Sequence, residues 1–209
     1  MAQDIAKQKT LDMYASLMEE VKLREAAVWK VIAGEITLPH PCAREYCFLQ
    51  IRMIIETMTL GCLLVHGDIP ATQSNKHLSQ YSADQIMKLL GSLHPEFYPE
   101  PVFLTTTVLF SGKKQHHIEP QVNDFLPKKT LLKYYARCGD VLHRGSVKNL
   151  LKESGVQSDL DEPKTMLVSI RKLLEQHLIA LFQPDTKFVC LLSDPEAGGK
   201  TTAAIGSSG

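Results

Sequence analysis

The chain has 209 residues, 23 Lys+Arg against 23 Asp+Glu and no formal net charge. That length buries one sizeable core, and the overall balance gives no global case for an extended polyanion partner or an acidic-lipid anchor, so any such site must be local. Cys42, Cys47, Cys62, Cys138 and Cys190 are odd in number and fall mostly in apolar-rich segments. They read as small buried hydrophobes of a reducing, cytoplasmic protein rather than as a disulfide framework.

The start, Met1-Ala2-Gln3-Asp4-Ile5-Ala6-Lys7, lacks the basic-then-apolar pattern of a secretory signal, so export by that route is not expected. Leu11, Tyr14, Met18, Val21, Val28 and Ile32 recur at helical steps and predict a helix from about Thr10 to Ala33, stopped by Gly34. After Leu38-Pro39-His40-Pro41, a second helix is expected from about Cys42 to His66. Its apolar run is long enough to span a bilayer. Arg52 and Glu56 lie mid-span, however, where charges are expensive, so a buried helix with no membrane partner is the reading. Glu45, Arg52, Glu56 and Thr59 form one narrow polar stripe on it, and Arg52 and Glu56 are spaced to pair.

Ser82-Ala83-Asp84-Gln85 fits a capping box opening a third helix, and the proline-rich stretch from His94 to Pro101 stops it. Val102 to Phe110, a Ser111-Gly112-Lys113-Lys114 turn and Gln115 to Ile118 predict a β-hairpin. Pro127 at a first helical position and Gly145 past the end bracket a fourth helix. Polar residues 146–161 follow, and then a last long helix from Pro163 to Phe182, capped by Asp161, with Leu173, Leu174, Leu178 and Leu181 on its buried side. Phe188 to Leu192, a Pro195 to Gly199 turn and Thr201 to Ile205 predict a terminal hairpin. The expected fold is therefore α+β, mainly α. It is one domain over 1–209, with a four- to five-helix bundle over 10–182, a hairpin inserted near 102–118 and a second appended at 187–205.

Chemistry concentrates on the fourth helix. Arg137, Asp140, His143 and Arg144 lie along one edge, where Asp140 is spaced to pair with Arg137, His143 or Arg144 and to raise the histidine's proton affinity. An imidazole exchanges a proton near neutrality, and a guanidinium donates two hydrogen bonds to phosphate oxygens, so the pair suits phosphoryl chemistry without a metal. From Pro127 to Lys152 seven cations, among them Lys133 and Lys148, face a single acid, Asp140, which attracts a phosphate backbone. The plainer alternative is a solvated, salt-bridged edge with His143 compensating the helix dipole. Gly139 inside the helix costs about 1 kcal/mol relative to alanine, which calls for a close-packing neighbour or a ligand. The Arg52–Glu56 pair needs partners of its own, and Glu56 is expected to meet Arg137 or His143 as support behind the site.

Arg137-x5-His143 on a late helix resembles the Arg-x4–6-His signature of the HEPN superfamily, over the helices from Cys42 to Phe182. The resemblance implies an α-helical bundle, commonly a homodimer, that acts on RNA. It is either a metal-independent endoribonuclease, with Arg137 stabilising phosphate charge and His143 transferring the proton, or a non-catalytic RNA-binding relative. No cofactor is implied. Cys138 stands where the family usually has a polar residue after the arginine, and the two hairpins are additional. The competing expectation is a non-catalytic helical module that dimerises or binds a protein partner through a strand edge.

Other motifs are rejected. Gly198-Gly199-Lys200-Thr201 lacks the first glycine of a phosphate loop, since Asp194 stands there, and no helix is expected to follow. His116-His117 are adjacent strand residues facing opposite sides, and His40, Cys42 and Cys47 lack the paired spacing of a zinc module, so no metal site is expected.

Overall fold

The two N-terminal apolar stripes fold as α1 (Ala2–Ile32) and α2 (His40–Val65), and α1 begins eight residues before its expected start at Thr10. The structure is a computed structural model that describes residues 2–67, 82–108, 111–112, 114–121, 125–143 and 159–207. Gly34, at φ +76°, takes the left-handed turn that ends α1 and that a side chain would strain. Phe48, Ile51, Ile54, Ile55 and Met58 line one face of α2, and buried Thr57, Thr59 and Leu63 carry the burial round to most of its sides, so it is surrounded accordingly. It packs against α1, α3 (Ala83–Leu93), α4 (Lys128–Leu142) and α5 (Asp161–Leu174). By length and composition α2 is apolar enough to cross a membrane, and 56% of that stretch is buried inside this fold.

The helix ends correct several expectations. Ser82 does cap α3, but its hydroxyl bonds the Asp84 carboxylate rather than a backbone N–H. Pro127 is the N-cap of α4, and the helix stops at Leu142, so His143 is its extended C-cap. Gly145, expected to end it, lies outside the described residues, as do 146–158. Leu160 is the N-cap of α5, while Asp161 opens the helix with its N–H donated to the Asp159 carboxylate at 2.7 Å.

Both expected hairpins form: β1 (Glu100–Val108) with β2 (Lys114–Pro120), and β4 (Thr186–Asp194) with β5 (Lys200–Ser207). The last helix, however, is shorter than its apolar period predicted. It ends at Leu174, and Gln176–Ala180 forms β3, which joins the hairpins into one antiparallel sheet of order β2-β1-β3-β4-β5. Leu173, Leu174, Leu178 and Leu181 fit a helix, but burial along β3 alternates, with His177 and Ile179 inside, and β4 supplies the ladder that settles the choice. Among the described residues the fold is α+β and mainly helical, with five α-helices and a five-stranded sheet.

The sheet is fastened to α1. Glu19 accepts the Thr201 N–H at 2.6 Å, Lys22 donates to the Gly199 carbonyl at 2.8 Å, and Tyr14 sets its ring edge against Phe188 with centroids 4.5 Å apart. At the far edge β1 pairs with β3 only through Glu100 and Pro101. Val102–Val108 pair with β2 alone, so this hairpin runs out beyond the sheet with Phe103 55% and Ile118 40% exposed.

All five cysteines are free thiols, and Cys42 is the exposed one. Burial pushes Cys47 up to about 11, Cys62 and Cys138 to about 12, and Cys190 higher still. A thiolate-selective reagent near neutral pH should therefore modify Cys42 alone in the folded protein and all five after denaturation. Counting modified sites by intact mass checks this, and a second fast-reacting thiol in the native state contradicts it.

Candidate nucleic-acid interface

The polar stripe of α2 meets α4 at Tyr135. Arg52 Nε donates to Glu56 Oε1 at 3.1 Å, Arg52 Nη2 to the Tyr135 hydroxyl at 2.7 Å, and that hydroxyl to the same Glu56 oxygen at 2.8 Å. The guanidinium also lies over the Tyr135 ring, 4.3 Å from its centroid. Gly139 eases the approach. A Cβ there would stand 3.3 Å from Arg52 Nη1, so the mid-helix glycine is explained by a close-packing neighbour. Burial first, and then the bond to Glu56, raise the Tyr135 hydroxyl above its ordinary range. The expectation that Glu56 meets Arg137 or His143 is corrected: its carboxylate is engaged by Arg52 and Tyr135 from the same side.

Arg137 has a different carboxylate. Its Nε and Nη2 donate to the two oxygens of Glu162, in the first turn of α5, at 2.7 and 3.1 Å. Arg44, near the start of α2, donates Nη2 to the same Glu162 Oε2 at 2.9 Å. Two guanidiniums from separate helices thus converge on one acid. The side chains of Arg137 and Glu162 are 40% and 34% exposed, whereas that of Arg44 is 12% exposed. Arg44 also lies over the Phe48 ring, 4.7 Å from its centroid, and its Nε is buried with no hydrogen-bond partner. The bonds from Arg137 hold the Glu162 carboxyl below its ordinary range, with Arg44 adding to the effect, and Glu162 in turn raises Arg137.

The remaining predicted site residues are not gathered around this pair. Asp140 is exposed and makes no direct ion pair with Arg137 or His143 among the described residues, although its charge adds to the effect of Glu162 in raising Arg137, whose hydrogen-bonded carboxylate comes from α5. His143 is exposed at the helix end, where its backbone turns extended and leaves the helical register shared with Arg137. Lys133 is exposed on α4, and Arg144 and Lys148 lie outside the described residues. Lys129, Lys133 and Arg137 recur every four residues, which places the three cations along one face of α4, successive members about 40° apart. Exposed Lys129 and Lys133 have no ion-pair partner among the described residues, although like charges at this spacing repel.

Arg44 and Glu162 were missed from sequence. Glu162 carried a weak signal as a first-turn acid, and Arg44 carried none, because its partner lies 118 residues away. Elsewhere, Gly198 and Gly199 form a positive-φ turn into β5 after a 3-10 turn capped by Asp194, so no phosphate loop is built there. No group of three or more His, Cys, Asp or Glu among the described residues is placed to hold a metal ion.

Compared with family models, curated proteins and solved structures, the chain matches none of them. The HEPN resemblance accordingly rests on the Arg137-x5-His143 spacing and the helical setting alone.

Proposed function

We propose that this chain is an HEPN-like RNA-directed module that holds a phosphate backbone and, as a single chain, does not cleave it. The observation that carries the reading is the line of Lys129, Lys133 and Arg137 on one face of α4, with Arg44 brought alongside by α2 and Glu162 as the one acid paired there among the described residues. Exposed cations in a row attract a polyanion even in a protein with no net charge. Catalysis draws less support. Both of Arg137's bonded nitrogens are engaged by Glu162, and His143 stands beyond the helix end.

Fluorescence anisotropy with a labelled single-stranded RNA in EDTA tests the reading. Binding is expected to weaken linearly in log–log form as salt rises, and Lys133→Ala should reduce that slope by about 0.7, the share of one phosphate contact on a single strand. Absence of binding at low salt removes the reading. Cleavage in EDTA that disappears in His143→Ala reinstates the ribonuclease.

A second reading, a protein-binding or dimerising module, is favoured by one feature, the β1–β2 hairpin with Phe103 and Ile118 turned to solvent. There Phe103→Asp should abolish self-association while leaving the fold intact. The terminal hairpin is unsuited to that role as a removable element, since Phe188, Cys190 and Leu192 of β4 are core residues.

A further inference from the structure

We propose that Arg44 and Arg137 form a phosphodiester-binding fork that Glu162 keeps closed, its carboxylate standing where two phosphate oxygens would sit. This deepens the RNA reading and rests on it. The geometry of the pairing carries the idea. Arg137 meets Glu162 with Nε and Nη2 on separate oxygens, the side-on fork that a guanidinium offers equally to a carboxylate and to a phosphate. Arg44 reaches the same Oε2 from another helix, so two cations share the one carboxylate that is hydrogen-bonded to them, with Asp140 acting on Arg137 only through space. A carboxylate has two acceptor oxygens, and Arg44 Nε is buried without a hydrogen-bond partner. A phosphodiester carries the same single negative charge on two non-bridging oxygens and adds two weaker ester acceptors in a tetrahedral spread, so it can take the place of the carboxylate before the donors present.

Access and rigidity point the same way. Phe48 under the Arg44 guanidinium fixes its plane, whereas Glu162 and Arg137 are each more than a third exposed, so the carboxylate can swing out without unpacking the core. Lys133 lies one turn before Arg137 on the same face and is exposed, extending the cationic path by one further contact. Glu162 therefore competes with RNA for Arg137 from within the chain. Removing its charge should do more than a generic loss of one acid.

The test compares wild type, Glu162→Gln, Glu45→Gln, and Glu162→Gln combined with Arg137→Ala or with Arg44→Ala. The probes are a fluorescein-labelled oligouridylate and inorganic pyrophosphate, and thermal melts establish that each variant is folded. Glutamine keeps the side-chain length and one acceptor oxygen, which favours a folded variant. Glu45 is exposed on α2 next to Arg44 and controls for net charge. Glu162→Gln is expected to bind the RNA about tenfold more tightly than wild type, as a charge-assisted internal competitor is lost. Glu45→Gln should change affinity less than about twofold, and either arginine deletion should abolish the gain. The fork is overturned if wild type binds RNA and Glu162→Gln binds no more tightly, if Glu45→Gln gives the same gain, or if the gain survives without Arg137 or without Arg44. If no variant binds RNA, the RNA reading fails separately and pyrophosphate decides. Pyrophosphate binding to Glu162→Gln but not to the arginine deletions keeps an anion fork, and no binding removes it.

Discussion

Truncation of Tyr14 to alanine should cost about 4 kcal/mol of folding stability, within the range for large buried aromatic side chains. Tyr14 is fully buried where α1, α2 and the sheet meet. Its ring edge packs on Phe188, and its hydroxyl lies 2.6 Å from His177 Nε2. On its other side is Gly61, where a Cβ would stand only 2.9 Å from Tyr14 Cε2. The ring is thus held by a hydrogen bond, an aromatic contact and a helix backbone, and its loss leaves a cavity with an unpaired imidazole nitrogen beside it. Tyr14→Phe should cost less, about 1–3 kcal/mol, because only the polar partner is lost. Gly61→Ala should destabilise wild type by about 1–3 kcal/mol through overpacking, yet be tolerated in the Tyr14→Ala background, where the ring is gone. Denaturant midpoints of the four proteins give the coupling. Simple additivity of Tyr14→Ala and Gly61→Ala would contradict the close approach.

Acidification is expected to weaken the fold well before the carboxylates titrate. His177 donates from Nδ1 to the Leu174 carbonyl at 2.9 Å, so Nε2 is the acceptor for the Tyr14 hydroxyl and the ring is held neutral. Burial pulls its pKa down to about 4, against the smaller opposing effect of the Leu174 bond. An unfolded imidazole takes up its proton near 6.5, so between about pH 6.5 and 4 the unfolded chain binds more protons than the folded one. Stability contributed by neutral His177 is complete above that window and falls as pH drops through it, by about 3 kcal/mol in total. Glu19 and Glu162, held low by Lys22 and Arg137, lose their contributions only at lower pH, as they protonate. Urea midpoints for wild type and His177→Leu between about pH 7 and pH 4.5 isolate the effect. Wild type should lose stability across this range and the variant should lose far less. Parallel slopes would mean that His177 titrates in the fold as it does in the unfolded chain.

How far the sequence could be read depended on the distance over which each feature is determined. Helical periodicity located α1 and α2, and β-branched runs located both hairpins, because neighbours along the chain carry those signals. The spacing of Arg52 and Glu56 predicted their pairing, and Gly139 called for a close neighbour or a ligand, of which Arg52 is the neighbour present. β3 was misread because its leucines satisfy a helical period equally well, and only pairing with β4 removes the ambiguity. Side chains fastened over long separations left no local trace. Tyr14 and His177 are 163 residues apart, and Glu162 is 118 residues from Arg44 and 25 from Arg137. Of the residues singled out on α4, Arg137 is the one that meets a carboxylate there, and that acid and the second arginine come from elsewhere in the chain.

Cys42, the one exposed thiol, sits two positions before Arg44 at the beginning of α2. A maleimide dye placed there would label the native protein at a single known point, without mutagenesis. Its emission would follow charge rearrangement around the neighbouring guanidinium in real time, turning a question of equilibrium affinity into one of opening and closing rates.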